Sequence, residues 1–324
     1  MSNSLSYYRR LWQIYRSYKR RDTTVSPKPL RMWVELCSDC NLRCVMCPNK
    51  ELHPEQRGFM DVETFHKVVD EAAGFIHEMA LHHRGESLKH PQATKMIAYA
   101  ARHIPVTKLH TNGTLLDERT CEELVDSGLS RISFSFDGFT KEEYEKIRVG
   151  ADFEKTLENI KTLLKVRRGK KSMKPAVAVE VIKLNETQLE KEKRQRFVTE
   201  FKALGVDQFI FKKPHNWAGH LDIEQNRNQY APCTFLWNAL LVLWNGDVSP
   251  CAQDFFATYI LGNIHQKSLK EIWNDEPQQK LRRALSERRH TDFTACRECD
   301  RLWRDTFLGI PKEYLRQILF RRMP

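Results

Sequence analysis

The chain has 324 residues, 41% hydrophobic and 29% charged, enough apolar side chain for one large α/β domain or a domain with an appendage. No apolar run reaches the length of a membrane span and no signal-peptide core opens the chain. Nine cysteines then point to a reducing compartment, the cytoplasm, where thiols serve metals or catalysis rather than disulfides. Much of the formal charge of +11 gathers at the two ends, in Arg9, Arg10, Arg16, Lys19, Arg20 and Arg21, then in Arg316, Arg321 and Arg322; with no RNA-binding signature beside it, nucleic acid is not the expected partner.

The first segment, 1–28, places Tyr8, Leu11, Trp12 and Tyr15 at helical spacing among basic residues. A helix whose aromatic stripe packs on the domain and whose basic face is solvated is expected, with an anionic membrane surface or a polyanion as the other reading. A short apolar strand, Met32 to Leu36, leads into Cys40-Asn-Leu-Arg-Cys44-Val-Met-Cys47-Pro48. Three thiolates at that spacing can wrap one soft metal centre and leave a fourth position open. A structural zinc site takes four protein ligands, whereas a 4Fe-4S cluster held by three cysteines keeps one iron free. Cys37 would complete a zinc knuckle, but two pairs within eleven residues are closer than four-cysteine zinc sites usually set them. Cys37 is expected to be a small apolar residue ending the strand.

Beyond the loop, helix and strand patterns alternate. Val62 to Phe75 reads as a helix, Glu78 to His83 as a strand, Pro91 to Arg102 as a helix and Val106 to His110 as a strand. Helix Asp117 to Ser127 meets Gly128, and strand Arg131 to Phe136 follows. Helices Lys141 to Ile147 and Phe153 to Val166, strand Ala176 to Leu184, helix Glu186 to Leu204 and strand Gln208 to Lys212 complete the run. Such alternation makes an α/β fold with a parallel sheet, doubly wound or closed into a barrel, over 29–213. From Lys213 the pattern breaks into an irregular linker with Pro214, Gly219 and Pro232. Within 214–324 a short hairpin is expected from Asn238 to Trp244, across Asn245-Gly246, to Asp247 to Ser249, then helices near Leu269 to Trp273 and Gln278 to Glu287.

The C-x3-C-x2-C run resembles the signature of the radical S-adenosylmethionine (SAM) superfamily, with Met46 where an aromatic residue usually precedes the last cysteine. The resemblance implies a partial (β/α)6 barrel with its site on the loops after the strands. It also implies a 4Fe-4S cluster on Cys40, Cys44 and Cys47 whose free iron chelates SAM and whose electron yields a 5'-deoxyadenosyl radical. Four further segments match in family order. Arg84-Gly85-Glu86-Ser87 resembles the GGEP motif, with Arg for the first Gly and Ser for the Pro; there Gly85 and Glu86 would receive the methionine amino group. Thr111-Asn112-Gly113 resembles the family's TNG. The run Ser133 to Gly138 is similar to SxDG, implying Ser135 as a contact of the SAM carboxylate, and Arg148 falls where related enzymes use a second carboxylate partner. Singly, each is also a turn or a strand end. His82, His83 and His110 are expected to pack or line the pocket, and Cys121 to be a buried helical residue.

Cys233, Cys251, Cys296 and Cys299 form a second set, opening as Cys233-x12-Gly246-x4-Cys251. This resembles the SPASM extension, supported by Leu261-Gly262-Asn263-Ile264 and Leu269-Lys-Glu-Ile-Trp273, with fewer cysteines than a full SPASM domain. Four thiols imply one fully ligated auxiliary 4Fe-4S cluster; a four-cysteine zinc site is the competing reading. The implied function is a radical SAM oxidoreductase or maturase that abstracts a hydrogen atom from its substrate, with the auxiliary cluster handling electrons and a donor such as flavodoxin or ferredoxin. The short stretch before the first motif cysteine tilts the expectation to a small-molecule or carbohydrate substrate. A peptide or protein substrate is the alternative, and a non-catalytic zinc and nucleic-acid-binding protein the remote one. Among strand-end residues, Glu180, Lys212 and His215 are the candidates for reaching the lumen.

Overall fold

The computed structural model describes residues 2–182, 188–223, 229–307 and 310–312. The chain divides into two compact units that do not follow chain order. A barrel unit holds Val34–Ala73 and Glu78–Pro214; a terminal unit holds the residues up to Trp33, Gly74–His77 and those from His215 on.

The terminal unit opens with helix α1 (Ser2–Arg20), which buries Leu11, Ile14 and Tyr18. Trp12, expected in the buried stripe, is 55% exposed and stacks on Tyr15 at 5.1 Å. The stripe is rotated by about one residue from the expected one: Leu11 belongs to both, but Ile14 and Tyr18 continue it at i+3 and i+7. Arg9, Arg16, Lys19 and Arg20 are exposed, as expected of a solvated basic face. Strand β1 (Arg31–Val34) then carries the chain from one unit into the other.

In the barrel unit helices and strands alternate: α2 (Val62–Ala72), β2 (Glu78–Ala80), α3 (Ala93–His103), β3 (Val106–Thr111), α4 (Glu118–Asp126), β4 (Arg131–Ser135), α5 (Lys141–Ile147), α6 (Phe153–Gly169), β5 (Ala176–Ile182), α7 (Gln188–Leu204) and β6 (Gln208–Lys212). Strands β2 to β6 pair in sequence order and in parallel, with Ser133 beside Ala178 and Ser135 beside Glu180. Side-chain caps start the helices: Asp61, Asp117 and Asp152 accept from Thr64, Thr120 and Lys155 backbone N–H groups at 2.7–2.8 Å. The helices bury i, i+3, i+4 stripes, such as Phe65, Val68, Val69 and Ala72 on α2, each large side chain contributing about 1.5–3 kcal/mol. Strand β2 ends at Ala80 instead of reaching His83; the Leu81 N–H still bonds the Lys108 carbonyl at 2.7 Å before the chain bends at 83–85. The junction expected between strand Ala176 to Leu184 and helix Glu186 to Leu204 lies outside the described residues.

The rest of the terminal unit comprises α8 (Phe235–Asn238), β7 (Ala239–Val242), β8 (Asp247–Ser249), β9 (Gly262–Asn263), α9 (Leu269–Ile272), α10 (Glu276–Ser286), α11 (Thr294–Arg297), β10 (Thr306–Phe307) and β11 (Ile310–Pro311). Strands β7 and β8 form the expected hairpin, pairing Leu241 with Ser249 and Val242 with Val248; Gly246 supplies the left-handed φ of +85° at its turn. The expected strand over Asn238 to Trp244 is confined to Ala239–Val242, because Asn238 ends a short helix. Strand β9, absent from the sequence reading, adds to β8, and β1 borders β7. Buried Arg282 of α10 ties the segment after α1 to this unit, donating to the Leu236, Thr23 and Trp273 carbonyls at 2.8–2.9 Å.

Candidate metal and cofactor site

The cysteine loop leaves β1 and is held by backbone and buried polar groups of the barrel unit. Cys37 pairs with Phe59 in an isolated bridge and is 1% exposed. Asn49 Nδ2 donates to the Ser38 and Arg84 carbonyls at 2.8 Å, and Arg57 donates to the Asn49 carbonyl at 2.6 Å. On its far side the loop bonds to the end of α5, Arg43 and Val45 donating to the Val149 and Ile147 carbonyls at 2.9 and 3.0 Å. Gly85 lies so close that a Cβ there would stand 2.4 Å from the Cys37 and Asp39 carbonyl oxygens, so only glycine fits. Arg84, where the GGEP motif has a glycine, turns away to a bidentate ion pair with Glu35, both bonds 2.7 Å and both residues buried. Ser87, in place of the motif's proline, donates to the Leu81 carbonyl at 2.7 Å.

Of the other expected site residues, Glu86, Asn112 and Arg148 reach this loop, the Glu86 N–H donating to the Asp39 carbonyl at 2.9 Å. Glu86 is buried and accepts from Thr111 Oγ1, the Asn112 N–H and the Leu88 N–H at 2.7–3.1 Å. Burial pushes its carboxyl up, and these bonds pull against that shift. Asn112 Nδ2 bonds to Asn41 Oδ1 at 2.9 Å and approaches Cys40 Sγ at 3.9 Å. Arg148 binds Asp137 through Nε and Nη2, with Nε at 2.8 Å, and its Nη1 lies 3.6 Å from Cys44 Sγ. Burial pushes the Cys40 thiol up to about 12, reinforced by Glu86, Cys44 and Cys47 nearby.

Beside the loop, alternate residues of β2 to β6 make a polar face. Glu78 pairs with Lys108 at 2.7 Å, and Glu180 is ion-paired with Lys212. His110 Nε2 lies 2.6 Å from Ser135 Oγ, and its Nδ1 lies 3.8 Å from Glu180 Oε1. Burial raises the Glu180 carboxyl, but His110 and Lys212 outweigh it and bring it to about 2. His82 faces His110 with ring centres 5.3 Å apart, whereas His83 neighbours Glu35 and Arg84, as expected of adjacent residues on opposite faces. His215, grouped with Glu180 and Lys212 as a lumen candidate, belongs to the terminal unit and packs on Trp217 at 4.2 Å. Cys121 is fully buried on α4.

In the terminal unit, Cys251 interacts electrostatically with Cys233, Cys296 and Cys299. Burial and mutual proximity push Cys251 and Cys296 well up, and Cys299 to about 12. Buried thiols gathered like this become thiolates only with a metal centre to hold them. Asn216, inside the expected linker, clasps the last pair: its Nδ2 donates to the Glu298 carbonyl at 2.6 Å and its Oδ1 accepts from the Asp300 N–H at 3.3 Å. Leu302 accepts from the Ala231 N–H at 2.8 Å, bringing the Cys233 segment alongside.

Two family models match the chain. The Radical SAM superfamily matches residues 34–174, and the SPASM iron-sulfur cluster-binding domain matches 233–300. The chain is a radical SAM enzyme with a SPASM domain. It is 26% identical to the tungsten-containing aldehyde ferredoxin oxidoreductase cofactor-modifying protein of Pyrococcus furiosus, over 76% of this chain and 81% of that one. It is 22% identical to the S-adenosyl-L-methionine-dependent 2-deoxy-scyllo-inosamine dehydrogenase of Niallia circulans, over 82% and 91%. Among solved structures, Streptococcus suis SuiB bound to precursor peptide SuiA shares the fold with a TM-score of 0.60 at 14% identity, over 89% of this chain and 74% of that one. No helix among the described residues is long and apolar enough to cross a membrane.

The radical SAM domain brings a 4Fe-4S cluster and SAM, and the SPASM domain an iron-sulfur cluster. The cysteine spacing fits such groups. Among the described residues, only Glu145, Asp152 and Glu154 bring three His, Cys, Asp or Glu ligand atoms within 4.8 Å of one another; neither cysteine set does. Both matched families are iron-sulfur proteins, which supports clusters over the zinc readings of the two sets, the Cys37 knuckle included. Sequence reasoning missed Glu35, Asn49, Arg57, Asn216 and the pairing of His110 with Ser135. Only the arginine at position 84 hinted at one of them, since a charge in a motif glycine's place calls for a buried partner.

Proposed function

We propose that this enzyme abstracts a hydrogen atom from a hydroxylated small-molecule or carbohydrate substrate. The carrying observation is the polar face of β2 to β6, where Glu78–Lys108 and Glu180–Lys212 ion pairs and the His110–Ser135 contact offer donors and acceptors in place of an apolar wall. The dehydrogenase of Niallia circulans, matched over 91% of its length, acts by name on an inosamine and supports this substrate class.

When bound, the cluster on Cys40, Cys44 and Cys47 supplies the electron that cleaves SAM to the radical abstracting the hydrogen. Glu86 and the backbone at Gly85 take the methionine amino group, Asn112 borders the cluster, and Ser135 and Arg148 donate to the carboxylate. Nε and Nη2 of Arg148 already bond Asp137 and Nη1 lies 3.6 Å from Cys44 Sγ, so the guanidinium stands between the Asp137 carboxylate and the cysteine loop. Cys233, Cys251, Cys296 and Cys299 would ligate an auxiliary 4Fe-4S cluster completely, which suits electron handling rather than substrate binding. The first electron comes from a small protein donor such as flavodoxin or ferredoxin.

The test is anaerobic turnover with SAM and reductant against panels of cyclitols, sugars and serine- or cysteine-containing peptides. A hydroxylated small molecule should raise 5'-deoxyadenosine above its uncoupled level and transfer deuterium from a labelled carbon into it. Transfer from peptides alone would replace this reading with peptide modification.

A further inference from the structure

His110 sits on the polar face among groups of β4, β5, β6 and the segment after β2. Ser135 Oγ of β4 lies 2.6 Å from its Nε2, and Glu180 of β5 faces its Nδ1 at 3.8 Å. Lys212 of β6 pairs with Glu180, the His82 ring stands 5.3 Å away, and Arg148 with its partner Asp137 completes the charged surroundings. We propose that His110 is a positioning residue for SAM: it holds Ser135 Oγ and takes up a proton when the SAM carboxylate arrives at that hydroxyl. This rests on the reading of Ser135 as a carboxylate contact.

The charges around His110 are already matched, Glu180 with Lys212 and Asp137 with Arg148. Burial pushes the ring's pKa down and outweighs the upward pull of Glu180 and Asp137, which Lys212 and Arg148 oppose. An arriving carboxylate changes that balance. With the 2.6 Å contact kept, a Ser135 that donates its O–H to the carboxylate must accept from His110 Nε2–H. A second proton on Nδ1 faces Glu180, so the imidazolium lies between two anions. Its pKa is therefore higher with SAM bound than without. Between the two values binding takes up a proton, and affinity falls as pH rises; outside that window the effect is flat.

The experiment is SAM titration of the cluster-loaded protein by calorimetry, in buffers of different ionisation enthalpy, across roughly pH 6 to 9. The SAM amine contributes its own proton change equally to every variant, so differences between variants isolate the ring. Wild type should take up more protons than His110→Asn, by up to about one per SAM. Its affinity advantage should shrink by up to about tenfold per pH unit through the window. Glu180→Gln should move that window to lower pH, and Ser135→Ala should bind more weakly and lose the excess proton. Iron content confirms that each variant is loaded; if His110→Asn is not, Glu180→Gln decides alone. Equal proton counts for wild type and His110→Asn, or an unmoved window in Glu180→Gln, would overturn the inference while leaving the pocket intact. Wild-type SAM affinity in Ser135→Ala would instead remove the pocket assignment on which it stands.

Discussion

Gly85→Ala should silence the barrel site while sparing the rest of the molecule. The new Cβ would stand 2.4 Å from the Cys37 and Asp39 carbonyl oxygens and 2.6 Å from Ser38 C, where ordinary contact begins at 3.4 Å. The segments must therefore part by about 1 Å. All three obstructing atoms are backbone, so no rotamer relieves the clash, and the bond from the Glu86 N–H to the Asp39 carbonyl, 2.9 Å now, is stretched. Overpacking of this kind costs about 1–3 kcal/mol. Its larger effect is positional, because Cys40 directly follows Asp39. Iron and acid-labile sulfide should fall from about eight to about four per chain, with the second cluster retained and SAM cleavage lost. Gly169→Ala, with nothing within 4 Å of its Cβ, should match wild type in both. Full iron and normal SAM cleavage in Gly85→Ala would refute the reasoning.

Glu35→Ala strands the buried Arg84 guanidinium and should destabilise the protein by about 3–5 kcal/mol in denaturant titration, whereas Glu35→Leu with Arg84→Met should recover most of the loss. Arg148→Ala leaves Asp137, 1% exposed, without its cation; melting temperature should fall, and SAM affinity should drop on the order of tenfold or more by titration. On α1, Ile14→Ala should cost about 2–5 kcal/mol, while Trp12→Ala, at an exposed position, should stay within about 0.5 kcal/mol.

The parts of the fold legible in the sequence were those set by local pattern. Lys141 to Ile147 and Gln208 to Lys212 were read to the residue, since period and flanking turns sufficed. The cysteine spacing and the strand-end segments were legible because each is a short local run. What escaped depended on distant partners: Glu35 meets Arg84 across 49 positions, and Asn216 clasps Glu298 across 82. The phase of α1 escaped for another reason. Tyr8, Leu11, Trp12 and Tyr15 make as good a stripe as Leu11, Ile14 and Tyr18, and only the surface beneath the helix decides between them.

The most direct test of the account counts clusters and asks which one SAM touches. Iron analysis of the reconstituted protein, with electron paramagnetic resonance of the reduced sample before and after SAM, should give two 4Fe-4S clusters. SAM should change the signal of one only, the one abolished by replacing Cys40, Cys44 and Cys47 with alanine. A single cluster in fully loaded protein, or two clusters that both respond to SAM, would contradict it.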